Sequence, residues 1–262
     1  MIKNIYIELT EKFNDGRLRA VICSGQAAVL HRIAMMSKDG DWIIMEDQEC
    51  LSHIIHVLEG YGASYRFGAP LDIRWLKAGW SSHFEFMHQN IRIRTDFFTR
   101  PPRISSEMLE QLWKESEGKH PPFTNKQFLA EMKKTNREKD YAVIGEIAKK
   151  MENPRDILLY SRSARDIIEL VGAFPKLVEE IKESRELLLK LPCSIDELEK
   201  KLDAERRKLM HANEDRLLKY TKASQKWAEK WIEVQSLVSG RTLTESHAII
   251  LKNAEGVLPF LP

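Results

Sequence analysis

Cysteine is nearly missing from this chain: Cys23, Cys50 and Cys193 are the only three in 262 residues. Their odd number and scatter match neither a disulfide framework nor the paired spacing of a zinc site. Cys23, inside an apolar run, reads as a small core residue. No long uncharged apolar run occurs, which excludes a membrane helix on hydropathy grounds. The first dozen residues carry Glu8 and Glu11 and lack the apolar core of a secretory leader, so a cytoplasmic location is expected. An excess of one charge is also missing. Lys and Arg number 41 against 39 Asp and Glu, a formal +2, so bulk charge does not argue for nucleic-acid binding. Glycine and proline are absent from residues 193–239, and no internal repeat or low-complexity tract interrupts the sequence.

What is present supports a folded core, with 43% hydrophobic and 31% charged residues. The first hundred residues mix two periods. Arg19–Cys23 and Asp41–Met45 read as strands. Gly25–Met36 places Ala27, Leu30, Ile33 and Ala34 at helical spacing. Asp47 is placed to cap a helix carrying Leu51, Ile54, Ile55 and Leu58. Leu71–Leu76 and His83–Phe86 are strand candidates. Ile91–Phe98 is the clearest strand, alternating Ile91, Ile93, Thr95 and Phe97 against Arg92, Arg94, Asp96 and Phe98.

Arg100-Pro101-Pro102-Arg103 ends that pattern, because consecutive prolines stop a ladder or a helix. Nearly everything after it reads as helical, with Ser194-Ile195-Asp196-Glu197 and Thr242-Leu243-Thr244-Glu245 as capping boxes. The stretch without glycine or proline predicts one long helix, or two broken near His211-Ala212-Asn213. The expected fold class is therefore α+β: a small mixed sheet with helices in residues 1–104, then an all-helical domain with a long helix in residues 105–262.

The chemistry concentrates around Asp39-Gly40-Asp41. Side chains two apart on a strand share a face, so both carboxylates can reach one metal ion. Mg²⁺ takes oxygen ligands and keeps room for substrate phosphates. A third carboxylate would come from Asp96 or, as a rival, Asp72. Ser24-Gly25 stands where a strand turns into a helix, a place where phosphate can approach the backbone. Arg92 and Arg94 lie on the Asp96 face, where they could hold an acceptor phosphate. Read alone, Asp-Gly is equally a hairpin turn, and the arginines equally a solvated strand face. Gly79-Trp80-Ser81-Ser82-His83 is either a stacking surface for a base or a loop with a packed tryptophan.

In this order and spacing the chain resembles the nucleotidyltransferases of the DNA polymerase β superfamily, most of all the minimal type found in abortive-infection toxins. Ser24-Gly25-Gln26-Ala27-Ala28-Val29-Leu30-His31 is similar to the family's Gly-Gly-Thr-Ala-x-x-Leu-His run. Ser37-Lys38-Asp39-Gly40-Asp41 is similar to its Thr-x-Asp-hydrophobic-Asp. Two positions differ: Ser24 replaces the first glycine, and Gly40 replaces the apolar residue between the aspartates. The resemblance implies that Asp39, Asp41 and Asp96 are catalytic and bind Mg²⁺ or Mn²⁺, and that Ser24 and Gly25 bind the triphosphate. Arg137-Glu138-Lys139-Asp140-Tyr141 resembles a later motif of the toxin-like members. It implies that Lys139 touches the nucleotide phosphate and that Asp140 assists the acceptor or orients the lysine. The expected partners are a nucleoside triphosphate and an acceptor (small molecule, protein or RNA); the long helices suggest a second copy, and the lack of an apolar run suggests no membrane. The alternative is a catalytically inactive scaffold of the same fold that acts through its long helices.

Overall fold

The computed structural model describes residues 4–262. Met1, Ile2 and Lys3, part of the N-terminal run considered above for a leader, lie outside the described residues. By its internal contacts the chain divides into two compact units. One holds the residues up to Thr124 together with Leu218–Pro262, the other Asn125–Leu217.

The first unit is built on a mixed five-stranded sheet. It opens with α1 (Ile5–Phe13), capped by the Asn4 side chain, which accepts from the Tyr6 N–H at 2.9 Å. Then follow β1 (Ala20–Cys23), α2 (Ser24–Leu30), β2 (Asp39–Ile44) and α3 (Gln48–Glu59), the last capped by Asp47 as expected. β3 (Ser64–Tyr65), α4 (Ile73–Leu76), β4 (Ser82–His88), β5 (Ile91–Phe98) and α5 (Ser106–Ser116) complete the run. The strand order is β1-β2-β5-β4-β3. β2 and β5 are parallel, and the other neighbours are antiparallel.

Two expectations are corrected here. Leu71–Leu76 is not a strand: the Asp72 carboxylate accepts from the Arg74 N–H at 2.8 Å and caps the short helix α4 instead. The helix expected to reach Met36 ends at Leu30, and β2 begins at Asp39, so both aspartates lie within the strand.

The two faces of the sheet differ sharply. On one, Trp42 and Phe97 stack at 5.4 Å, Phe13 of α1 meets both edge-on, and the Trp42 indole donates to Thr10 Oγ at 2.9 Å. Trp42, Phe84 and Phe97 are fully buried there. On the other face β5 presents Arg92, Arg94 and Asp96, as its alternation predicts. The free edge of β1 is covered by the loop at His120-Pro121-Pro122-Phe123. The Ile22 N–H donates to the Pro122 carbonyl at 3.0 Å, and the Thr124 N–H donates to the Ile22 carbonyl at 2.9 Å. Covering an edge in this way blocks strand addition by another chain.

The second unit is helical: α6 (Lys126–Met132), α7 (Glu138–Lys149), α8 (Pro154–Tyr160), α9 (Ala164–Ala173), α10 (Pro175–Ile181) and α11 (Ile195–Ala223) as far as Leu217. Leu158, Ile167, Ile181, Leu188, Leu198 and Leu202 form its core. The Ser194 box opens α11 reciprocally. The Glu197 N–H donates to Ser194 Oγ at 3.3 Å and the Ser194 N–H to Glu197 Oε2 at 3.1 Å.

The chain continues into α12 (Gln225–Val238) and α13 (Leu243–Ala254). The helix break thus falls at Ser224 and not near His211. The units also differ from the expected 1–104 and 105–262 division, because the C-terminal helices belong with the sheet. Three indoles tie them there: Trp227 donates to the Gly68 carbonyl at 2.9 Å, Trp75 to that of Leu258 at 3.1 Å, and Trp80 to that of Phe260 at 3.0 Å. Among the described residues no helix is long and apolar enough to cross a membrane.

Candidate functional site

Strand register assembles the open face. Asp41 is the partner of Asp96 across the parallel β2–β5 pair, and Asp39 is the partner of Arg94. His83 on β4 is the partner of Asp96, and Glu85 of Arg94. Partners in register project to the same side. One row therefore reads Asp41, Asp96, His83 and the next Asp39, Arg94, Glu85, with neighbouring strands about 4.8 Å apart.

The turn after β1 lies beside these aspartates, because Cys23 is the register partner of Asp41. Local packing fixes it there. A methyl group on Gly25 would collide with the Ser37 hydroxyl. The Gln26 amide donates to the carbonyls of Ser37 at 3.1 Å and Asp39 at 3.3 Å. Ser24 sits at φ +53°, in the left-handed region that glycine enters freely. A serine there costs roughly 1–2 kcal/mol, partly offset in glycine by its larger unfolded-state entropy. Ser24→Gly is expected to raise stability by about 0.5–1 kcal/mol; an unchanged or lower urea midpoint would contradict this.

Gly40 has its own explanation. Between two aspartates that face outward, it faces inward, where a methyl group would overlap the rings of Trp42 and Tyr6. The apolar contact that a side chain would make there is made by those rings. The Tyr6 hydroxyl donates to the Lys38 carbonyl at 2.5 Å. Burial, and then the charges of Asp39 and Asp41, push its pKa up to about 12.

Asp96 is engaged sideways. Its Oδ1 accepts from His83 Nδ1 at 2.7 Å and from Arg66 Nη1 at 3.3 Å. Neither His83 nor Arg66 stood among the sequence candidates as a partner of Asp96. Asp72, the rival third carboxylate, is occupied as the cap of α4. Trp80, the suggested stacking surface, is buried edge-on against Tyr220 at 4.8 Å. Among the described residues no group of three or more His, Cys, Asp or Glu is gathered as a metal site. The donor chemistry nevertheless suits Mg²⁺, which is commonly held by one or two carboxylates together with substrate phosphates and waters.

Beside Asp39 opens a cleft of about 580 Å³, lined by Tyr6, Met36, Lys38, Ile91, Arg92 and Arg94 among others. Its walls combine an apolar floor with two exposed guanidinium-bearing residues.

Lys139 and Asp140 lie in the helical unit. Lys139 is exposed. Asp140 is buried and accepts from Thr135 Oγ at 2.6 Å, Arg137 Nε at 2.8 Å and Lys133 Nζ at 3.3 Å. Burial alone would raise its pKa. The Thr135 hydrogen bond and the charges of Lys133 and Arg137 outweigh that and lower it. The carboxylate holds the entry to α7, a local duty that the resemblance did not signal.

No family model matches this chain, and no curated protein matches it. Among solved structures it is similar to a chain described as a putative nucleotidyltransferase from H. pylori, with 12% identity and a TM-score of 0.41, covering 80% of this chain and 96% of that one. At that distance the likeness carries neither a residue role nor an activity.

Proposed function

We propose that this protein transfers a nucleoside monophosphate from a nucleoside triphosphate to an acceptor hydroxyl or phosphate, releasing pyrophosphate. One observation carries the proposal. The register sets Asp39 and Asp41 side by side on an open polar face, next to the Ser24-Gly25 turn. Two carboxylates beside a backbone turn able to admit phosphate suit a metal-bound triphosphate.

In this proposal Asp39 and Asp41 hold Mg²⁺ or Mn²⁺, which when bound neutralises charge on the triphosphate and the departing pyrophosphate. Ser24 and Gly25 face the phosphates. Arg92 and Arg94 orient an anionic group of the acceptor by charge-assisted hydrogen bonds, and the cleft beside Asp39 takes its apolar part. Asp96, expected from the resemblance as a third metal ligand, is assigned instead to orienting His83, the group it binds. Lys139 and Asp140 enter no step, since Asp140 is committed to its own helix.

The test is incubation of the full chain with α-labelled nucleoside triphosphates, Mg²⁺ and a cell extract, followed by separation of RNA, protein and small molecules. Label is expected to move to one of these classes. In Asp39→Asn with Asp41→Asn the movement should fall by roughly a hundred-fold or more, the scale seen when transition-state charge loses its partners. Undiminished transfer in the double variant would sink the proposal. So would calorimetry showing no Mg²⁺-dependent nucleotide binding to the unmodified chain.

A further inference from the structure

On the open face, the hydrogen bonding of Asp96 does not end at His83. The other imidazole nitrogen, Nε2, lies 3.0 Å from the Ser81 hydroxyl. A carboxylate has no proton to give, so Nδ1 carries the hydrogen toward Asp96 and Nε2 is left as an acceptor for the Ser81 O–H. This is the order of contacts by which a serine is made nucleophilic: hydroxyl to imidazole, imidazole to carboxylate.

The arrangement is held by the backbone. Ser81 immediately precedes β4, two residues before His83, so in extended chain the two side chains share a face. The Arg66 N–H donates to the His83 carbonyl at 2.8 Å and the Ala69 N–H to the Ser81 carbonyl at 3.1 Å. Between them the chain passes so close over the ring that a methyl group on Gly68 would overlap His83. Satisfying Asp96 would have required only His83 and Arg66. The relay continues to a half-buried hydroxyl on the same face as Asp39 and Asp41.

We propose that Ser81 is itself an acceptor of the transferred nucleotide, with His83 as its base and Asp96 as the positioning residue; this rests on the function proposed above. The Ser81 oxygen attacks the α-phosphorus. The Oγ–P bond forms as the bond from that phosphorus to the bridging oxygen of pyrophosphate breaks. The electron pair leaves with pyrophosphate, and the hydroxyl proton passes to His83 Nε2. The product is a nucleoside monophosphate joined to Ser81 as a phosphodiester.

The test uses the full chain with an α-labelled nucleoside triphosphate and Mg²⁺, read by peptide mass mapping. The expected result is one nucleoside monophosphate on the Ser81 peptide, absent in Ser81→Ala. In His83→Ala the labelling rate should fall by roughly a hundred-fold or more, the usual worth of a general base, and added imidazole should restore part of it. In Asp96→Asn the rate should fall while the melting temperature stays within a few degrees of the unmodified chain. Imidazole rescue separates a proton acceptor from a residue that only supports the fold. Label passing to molecules of a cell extract while Ser81 stays unmodified would overturn this inference and leave the proposed function standing. Failure of Mg²⁺-dependent nucleotide binding would overturn both.

Discussion

Trp42→Ala should remove about 3–5 kcal/mol of stability, the range for emptying a large aromatic site in a packed core. That is a large share of the 5–15 kcal/mol typical of a whole domain. The ring is completely buried, stacks on Phe97, receives the edge of Phe13, and donates its only N–H to Thr10 Oγ. The Gly40 backbone and the Tyr6 ring close its remaining side. Thr10 Oγ also donates to the Tyr6 carbonyl at 2.6 Å, so its own hydrogen survives but the indole donor is gone. Urea unfolding of the full chain measures the effect. A loss under about 1 kcal/mol would mean that neighbouring side chains collapse into the space and that the covered face is not the rigid support described above.

Glu205→Ala should destabilise the helical unit by about 3–5 kcal/mol, because it strands two guanidiniums away from water. Glu205 accepts from Arg185 Nε at 2.9 Å, Arg185 Nη2 at 2.8 Å and Arg162 Nη1 at 2.5 Å. The Arg185 side chain is only 6% exposed, with further hydrogen bonds to the carbonyls of Leu158 at 2.8 Å and Ser161 at 3.1 Å. Arg162 also donates to the Leu202 carbonyl at 2.6 Å. The cluster thus joins α8, the Ser161 corner and α11 around one carboxylate.

The sign of its pH dependence follows from the same contacts. Burial would raise the pKa of Glu205, but the hydrogen bond and charge of Arg185, with the charge of Arg162, outweigh it and hold the group below its ordinary value. A depressed carboxylate contributes stability that is fully present above its unfolded value, near 4.3, and is lost as pH falls through its folded value. The gap in stability between the unmodified chain and Glu205→Gln should therefore be full at pH 7 and close as pH is lowered below about 4. Hydrogen exchange of α8, α9 and α11 at several pH values measures it. A gap that stays constant would show that the charge of Glu205 does not hold the cluster.

Much of the fold was legible because its signals are local. The alternation of β5 needs only eight consecutive residues, and it sorted Arg92, Arg94 and Asp96 from Ile93, Thr95 and Phe97 correctly. The caps at Asp47, Ser194 and Thr242 act across three residues and appeared where those residue types stand. The pairing of His83 with Asp96 was nearly legible too. Gln89 and Asn90 both have positive φ, 49° and 62°, as a two-residue hairpin of this hand requires. Once that turn is recognised, counting back along β4 reaches His83 opposite Asp96, but glutamine in its first position is a weak signal.

Other features had no local signal. Gly40 reads as a departure from a pattern until the Trp42 and Tyr6 rings are seen beneath it. Tyr6 is far away in sequence, and its approach is set by how α1 crosses the sheet. Asp72 reads as a strand carboxylate and Asp140 is implied as a site residue by the resemblance, but both are occupied by neighbours within seven residues, Asp72 by Arg74 and Asp140 by Lys133, Thr135 and Arg137. Ser224 interrupts a stretch whose composition is helical throughout, so no residue there announces the break.

The sequence by itself determined the α+β class, the alternating strand, the capped helices and the doublet Asp39 and Asp41, since each depends on neighbours within a turn or a strand length. Only the tertiary structure decided that the last helices join the sheet unit, that Arg66 and His83 hold Asp96, and that Ser81 ends the relay. Those outcomes depend on strand register and on side chains meeting across long sequence separations, which no local pattern encodes.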